Sequence, residues 1–355
     1  MYRWTLSGAE LVHLMREKGV RPGPGSPLGD IAALPHSGIL APVERQSDLS
    51  RALGVLAEPK VILGAMTYAP PEEPDYAWYY GAGQGTGWAF HRGSEDGGSE
   101  IVWPVDAPQL IRSLGVPLAL EGGSSGDEIS MVFDKDGFEA LAVAADLAQE
   151  MSLIALLNRK GFSGMAFGES EFTECAQRSG GSDDLRWTAP RFRLVSPIDL
   201  SYDEGGLRRG LRSLEAGGLV RRVNGQFELS PPMGFACAQL GAMSGMTALS
   251  VRRSERGPSA GGKGGAGGPG GWTVGHIAAL RAGTGLWLLE FSRISVDGFE
   301  VRMTSARSDE VYGQLKTGLG WGEQAAPPPP RFCRQCGGPL REGAAFCPQC
   351  GGATK

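Results

Sequence analysis

The feature that most constrains this chain is a repeated order of short motifs. "DIAALPHSGILAP" in the first half is in step with "GLRSLEAGGLVRR" in the second: Ile31, Leu34, Gly38, Ile39 and Leu40 match Leu211, Leu214, Gly218, Leu219 and Val220. Each reads as a helix that ends at a glycine and then a short strand. Next come "SDLSRALGVLAEPKVIL" and "PPMGFACAQLGAMSGMTAL", each a helix followed by an apolar run. "GAGQGTGWAFHR" then matches "LRAGTGLWLLEF", with Trp88 and Trp287 behind a shared Gly-Thr-Gly. "SEIVWPV" and "FEVRMTS" alternate as half-buried strands, and "APQLIRSLG" and "SDEVYGQLKTGLG" close each unit as helices. The matches keep their order at separations of roughly 180 to 200 residues, which is the signature of a duplicated unit.

The expected fold class is therefore α+β: two similar halves related by a pseudo-two-fold axis, with winged-helix-like elements and antiparallel hairpins. Residues 1–133 form the first half and 161–322 the second. Between them, residues 134–160 read as a connecting helix, free of Gly and Pro after Gly137 and rich in Ala and Leu. Asp134 or Asp136 caps its start. Its apolar surface is broad, so burial against both halves is expected. The Gly-rich run at 256–272 interrupts a strand pair and reads as a long flexible loop inside the second half.

The tail carries different chemistry. "RFCRQCGGPLREGAAFCPQCGG" holds Cys333, Cys336, Cys347 and Cys350 as two CxxC turns, each followed by Gly-Gly. Two such turns bring four thiolates to the corners of a tetrahedron at Zn–S distances of about 2.3 Å. Four protein ligands leave no open position, so one structural Zn2+ is expected, supplying most of the folding energy of a piece too small to build a core. The stretch resembles the short zinc ribbons of many prokaryotic proteins, over residues 332–351. Four prolines at 327–330 make residues 323–331 an extended linker to a ribbon at 332–355.

"GAGQGTGW" at 81–88 raises a nucleotide-binding loop and then fails its spacing. Counting six from Gly81 reaches Thr86, and from Gly83 reaches Trp88, where a dinucleotide fingerprint needs glycine. No Gly-Lys-Ser/Thr follows, and "WAFHR" reads as a strand, so no helix N-terminus awaits a phosphate. The stretch reads as a hairpin turn. His13, His36, His91 and His276 form no metal or catalytic pattern, "GGSSG" at 122–126 reads as loop, and Glu72-Glu73 and Asp183-Asp184 read as solvated loop acids. Cys175 and Cys237 stand alone and read as small buried residues. No catalytic or small-molecule-binding constellation is expected.

A formal net charge of −5 and 41% hydrophobic residues suit a cytosolic globular protein without a membrane segment or secretory signal. The region 201–263 is locally basic, with nine Lys/Arg against five Asp/Glu. Within 205–256, "GLRRGLRSLEAGGLVRRVNGQFELS" reads helix, strand, Asn-Gly turn, strand, as in a winged helix. Arg208, Arg209, Arg212, Arg221 and Arg222 are the candidates for phosphate contact in that reading.

The twofold order, with "DLSRALGVLAEPKVIL" (48–63) as its closest stretch, resembles the EspG-like chaperones of type VII secretion over residues 1–320. That resemblance implies two α+β halves and secreted Pro-Glu/Pro-Pro-Glu proteins as partners. The Gly-rich run and the zinc ribbon depart from it. The expectation is a non-enzymatic, protein-binding adaptor or secretion-chaperone-like protein; the alternative is a winged-helix regulator that binds DNA.

Overall fold

A computed structural model describes residues 1–29, 31, 46–82, 87–93, 98–120, 129–159, 166–254, 272–295 and 298–318. The chain divides into two compact units, Met1–Leu319 and Gly320–Lys355. The second unit, with all four CxxC cysteines, lies outside the described residues.

In the first half the order is β1 (Tyr2–Leu6), α1 (Gly8–Glu17), α2 (Gln46–Ala57), β2 (Val61–Tyr68), β3 (Asp75–Gly81), β4 (Trp88–Gly93), β5 (Ser99–Val105) and α3 (Ala107–Gly115). It continues with β6 (Ser130–Phe133), α4 (Lys135–Leu157), β7 (Ala166–Phe167), α5 (Glu169–Gly180), α6 (Thr188–Val195) and α7 (Glu204–Ala216). Then follow β8 (Val220–Val223), β9 (Gln226–Leu229), α8 (Pro231–Gly241), β10 (Met243–Ser254), β11 (Trp272–Ala282), β12 (Gly285–Ser295), β13 (Gly298–Ala306) and α9 (Ser308–Gly318).

Ten strands form one antiparallel sheet in the order β1-β5-β4-β3-β2-β10-β11-β12-β13-β6. Read outward from its middle, both directions give the same sequence of roles. β2 and β10 each follow a helix, each leads into two hairpin strands, and the outermost strand of each half precedes a helix. β2 and β10 pair antiparallel, with Ala65 opposite Leu249 at the middle of the ladder. Equivalent strands that run antiparallel to each other are related by a two-fold axis through the sheet, so the duplication read from the sequence is a pseudo-dimer in one chain.

Local signals repeat as well. Ser7 caps α1 in a capping box, with the Glu10 amide donating to Ser7 Oγ (3.3 Å) and the Ser7 amide donating to Glu10 Oε2 (2.7 Å). Asp134 caps α4 by accepting from the Gly137 amide at 2.6 Å. α7 ends in a Schellman turn. The Leu219 amide donates to the Leu214 carbonyl, the Gly218 amide donates to the Glu215 carbonyl, and Gly218 sits at φ +69°. The matching segment around Gly38 lies outside the described residues, as do Gly83–Thr86 and "GGSSG" at 122–126. β3 and β4 nevertheless pair with Gly81 opposite Trp88, so a hairpin brackets the glycine run. Trp88 and Trp287 are both buried. β10 and β11 pair as far as Ser254 opposite Trp272, which makes the Gly-rich run a connection between adjacent strands.

Helix 134–160, expected as a connector, packs chiefly within the second half, in a core that also takes in Met66 and Tyr68 of β2. β6, placed within 1–133 by the sequence, pairs with β13, and α4 packs on α5, α6, α7, α8 and β13. Strand, cap and helix here are the second half's own version of β1, Ser7 and α1. Residues 137–148 of α4 are buried throughout, including Phe138 stacked on Phe192 at 4.5 Å. By length and composition α4 is apolar enough to cross a membrane, but this stretch is the core of the second half.

α4 and α7 cross at backbone contact. A Cβ added at Gly210 would lie 2.1 Å from the Asp136 carbonyl oxygen. Gly210→Ala is expected to lower stability by about 2–3 kcal/mol. Gly54→Ala, on the exposed face of α2 with nothing within 4 Å of the new carbon, is expected to raise it by about 0.5–1 kcal/mol. Urea-melt midpoints check both, and equal midpoints for the two variants would contradict the close crossing.

Candidate functional site

α3 and α9, the closing helices of the two halves, meet on one face of the sheet close to the seam. α3 buries Leu110, Ile111 and Leu114 at helical spacing and has Pro108 in its first turn. Its C-terminus is fixed by the other half: Thr247 Oγ1 on β10 donates to the Leu114 carbonyl at 2.7 Å. A single 3-10 turn, Val116–Leu118, then runs so close over β10 that a Cβ at Gly245 would lie 1.8 Å from the Pro117 carbonyl oxygen. Only glycine at 245 permits that approach.

α9 buries Val311 and Leu315 and leaves Tyr312 half exposed, with Lys316 Nζ 4.5 Å from its ring centroid. Between the helices opens a cleft of about 740 Å³, lined by Ile111, Val116, Ala119, Leu120 and Tyr312 with Arg112 and Asp309 reaching it from opposite walls. Val116 is 74% exposed at its mouth. Asp309 is paired with Arg307 at 3.5 Å, whereas Arg112 has no ion pair among the described residues. No histidine, cysteine or carboxylate pair is among the described lining residues. The cleft presents an apolar surface that carries one cation, Arg112, and one anion, Asp309.

The five arginines named from sequence do gather on a winged-helix-like element. α7 leads into the β8–β9 hairpin, whose turn has Asn224 and Gly225 at φ 51° and 82°, and β7 completes a three-stranded sheet in the order β7-β9-β8. Most of them are occupied. Arg208 pairs with Glu169 (2.9 Å) and Glu204 (2.7 Å), Arg209 with Asp136 (2.6 Å), and Arg221 with Glu228 (2.7 Å). Arg222 lies over the Phe227 ring at 4.6 Å. Arg212 and Arg222 are exposed and have no ion pair among the described residues.

Among the described residues no group of three or more His, Cys, Asp or Glu is placed to hold a metal ion. Cys333, Cys336, Cys347 and Cys350 lie outside them. Cys175 and Cys237 are buried free thiols, and burial raises the Cys175 thiol to about 12. Glu72 and Glu73 are exposed.

Two carboxylates escaped the sequence reading. Glu139 and Asp146 lie seven residues apart on α4, hence on one face, and both are fully buried. Glu139 Oε1 accepts from the Ser201 amide at 2.9 Å. Asp146 accepts from the Thr188 amide and, at 3.1 Å, from the Ala189 amide, so it caps α6 from another helix. Burial pushes both carboxyls upward. The signal was present: two acids at one-face spacing in an otherwise apolar helix need buried partners.

No family model matches the chain, and no curated protein matches it. One similar solved structure is the Mycobacterium tuberculosis type VII secretion system chaperone EspG5 in complex with a PE25-PPE41 dimer. Identity is 13%, the match covers 91% of this chain and 98% of that one, and the TM-score is 0.41.

His91 is 8% exposed, lies within hydrogen-bond distance of Ser99 Oγ (3.2 Å), and is held by burial at about 4. Its folded value is below the unfolded one, so its contribution is present above the unfolded value of about 6.5 and is lost as pH falls toward 4. Wild type is expected to lose up to about 3 kcal/mol relative to His91→Gln between pH 7 and 4. Urea melts of the pair at both pH values check this; parallel pH profiles would contradict it.

Proposed function

We propose that this chain is a non-enzymatic protein-binding adaptor of the secretion-chaperone kind, working in the cytoplasm, and that the α3–α9 cleft receives an apolar segment of its partner. The observation that carries this is the cleft itself: an open apolar concavity at the seam of the two halves, with exposed Val116 in its lining and, beside it, Arg112, which has no ion pair among the described residues. Such a surface favours an amphipathic segment whose apolar side chains enter while a carboxylate reaches Arg112. The absence of an acid–base or nucleophile–base pair from the described lining favours binding over catalysis.

DNA binding through the α7–β8–β9 element is the alternative, favoured by its winged-helix shape. The ion pairs of Arg208, Arg209 and Arg221 weigh against it, because each must be broken before a phosphate is contacted.

A photo-crosslinking residue at Val116, in the full chain expressed in its native cells, is expected to give an adduct with another polypeptide. The same residue at exposed Glu72 serves as control, and equal adducts at both positions would sink the cleft reading. The tail is proposed to hold one structural Zn2+ on Cys333, Cys336, Cys347 and Cys350. One zinc per chain by elemental analysis is expected, lost in Cys347→Ser; a metal-free wild type would overturn it.

A further inference from the structure

Glu139 is fully buried, yet only one of its carboxylate oxygens is held. Oε1 accepts from the Ser201 amide at 2.9 Å and lies 3.7 Å from Lys135 Nζ, while Oε2 has no hydrogen-bond partner among the described residues. A buried carboxylate oxygen without a donor costs free energy that the rest of the fold must offset.

That oxygen lies where α4 and α7 cross. A Cβ built at Gly206, in the first turn of α7, would meet Asp136 Oδ1 at 3.1 Å, Asp203 Oδ2 at 3.2 Å and Glu139 Oε2 at 3.5 Å. Three carboxylates thus converge on one spot, and two of them are matched. Asp136 pairs with Arg209 at 2.6 Å, and Asp203 accepts from the Gly206 amide at 2.9 Å and from the Ser201 hydroxyl at 3.0 Å. Glu139 is the third. The charged and titratable groups that face it are Lys135 and Asp136 on α4, Tyr202 and Asp203 in the segment before α7, and Arg209 on α7.

The crossing leaves little room for adjustment. Gly210 meets the Asp136 carbonyl at backbone contact, and Ser213 Oγ donates to Asp134 Oδ2 at 2.9 Å. A negative charge on Oε2 is therefore not relieved by a small shift of either helix. A proton on Oε2 removes that charge and supplies a donor where two other carboxylates offer acceptors.

We propose that Glu139 is a proton-operated clamp: protonated, it lets α4 and α7 close, and ionised, it loosens α7 and the β8–β9 hairpin that follows from α4. Burial holds its carboxyl above the ordinary carboxylate value, outweighing the Ser201 and Tyr202 amides and Lys135, and Asp136 adds to the effect of burial. The folded value lies above the unfolded one, so the stabilising contribution is full below the unfolded value and is lost as pH rises through the folded one.

Hydrogen exchange of the full chain, read by mass spectrometry at about pH 5 and about pH 8 and corrected for the intrinsic rate at each, tests this. In wild type the protection of α7, β8 and β9 is expected to fall several-fold more with rising pH than that of α1 and α2. Glu139→Gln keeps the shape but cannot ionise, and is expected to abolish the difference. Lys135→Met removes the positive charge beside Oε1 from a partly exposed side chain, and is expected to enlarge the difference and move it to higher pH. Parallel profiles in wild type and Glu139→Gln would overturn the proposal. Loosening confined to α6 would overturn it as well, since Asp146 would then be the titrating group. Should Glu139→Gln fail to fold, Lys135→Met decides, and a profile there equal to wild type overturns the proposal.

Discussion

The β2–β10 ladder is the interaction on which the rest depends. Eight residue pairs, from Met246 opposite Tyr68 to Arg253 opposite Val61, join two five-stranded sheets into one. Without it each half would present an unpaired strand edge, with backbone amides and carbonyls open to pairing by other chains. With it, the remaining sheet edges are β1 and β6, and β6 is only four residues long. The antiparallel sense of that one pairing also fixes the symmetry. It forces the halves to relate by rotation, which puts α3 and α9 on the same face and near each other.

Two features at the seam show how the halves depend on one another. Thr247 of β10 holds the end of α3 through its carbonyl, and Gly245 gives the Val116–Leu118 turn room to approach. The wall of the cleft is thus built by one half and positioned by the other. A cleft formed in this way exists only when the seam is formed, so the cleft and the stability of the long sheet are one property.

The two halves have diverged in what fills the other face. In the first, α1 and α2 cover the sheet through Leu11, Leu14, Leu49, Leu53 and Leu56. In the second, five helices do so, organised around α4. Its apolar length is tolerable in water because Phe138 to Ala148 is enclosed by α5, α6, α7 and α8. The same helix carries Glu139 and Asp146 inward, where the Thr188 and Ala189 amides donate to Asp146 and the Ser201 amide donates to Glu139 Oε1, while Glu139 Oε2 has no hydrogen-bond partner among the described residues. A buried carboxylate unmatched by such donors would neutralise or unfold its surroundings.

The sequence by itself determined the duplicated order of elements, the hairpin around "GAGQGTGW", the Asn224-Gly225 turn, the Gly218 helix stop and an aspartate cap on α4, at Asp134 or Asp136, of which the structure selects Asp134. Each is a local matter of backbone freedom or side-chain capping, set by a few neighbouring residues. Tertiary structure alone decided that β2 meets β10, that β6 and α4 belong to the second half, that Arg208, Arg209 and Arg221 are tied up in ion pairs, and that α3 and α9 flank a cleft. Those outcomes depend on contacts between residues from 7 to nearly 200 positions apart. A local pattern states which face of an element is apolar, but only the assembled fold selects what covers it.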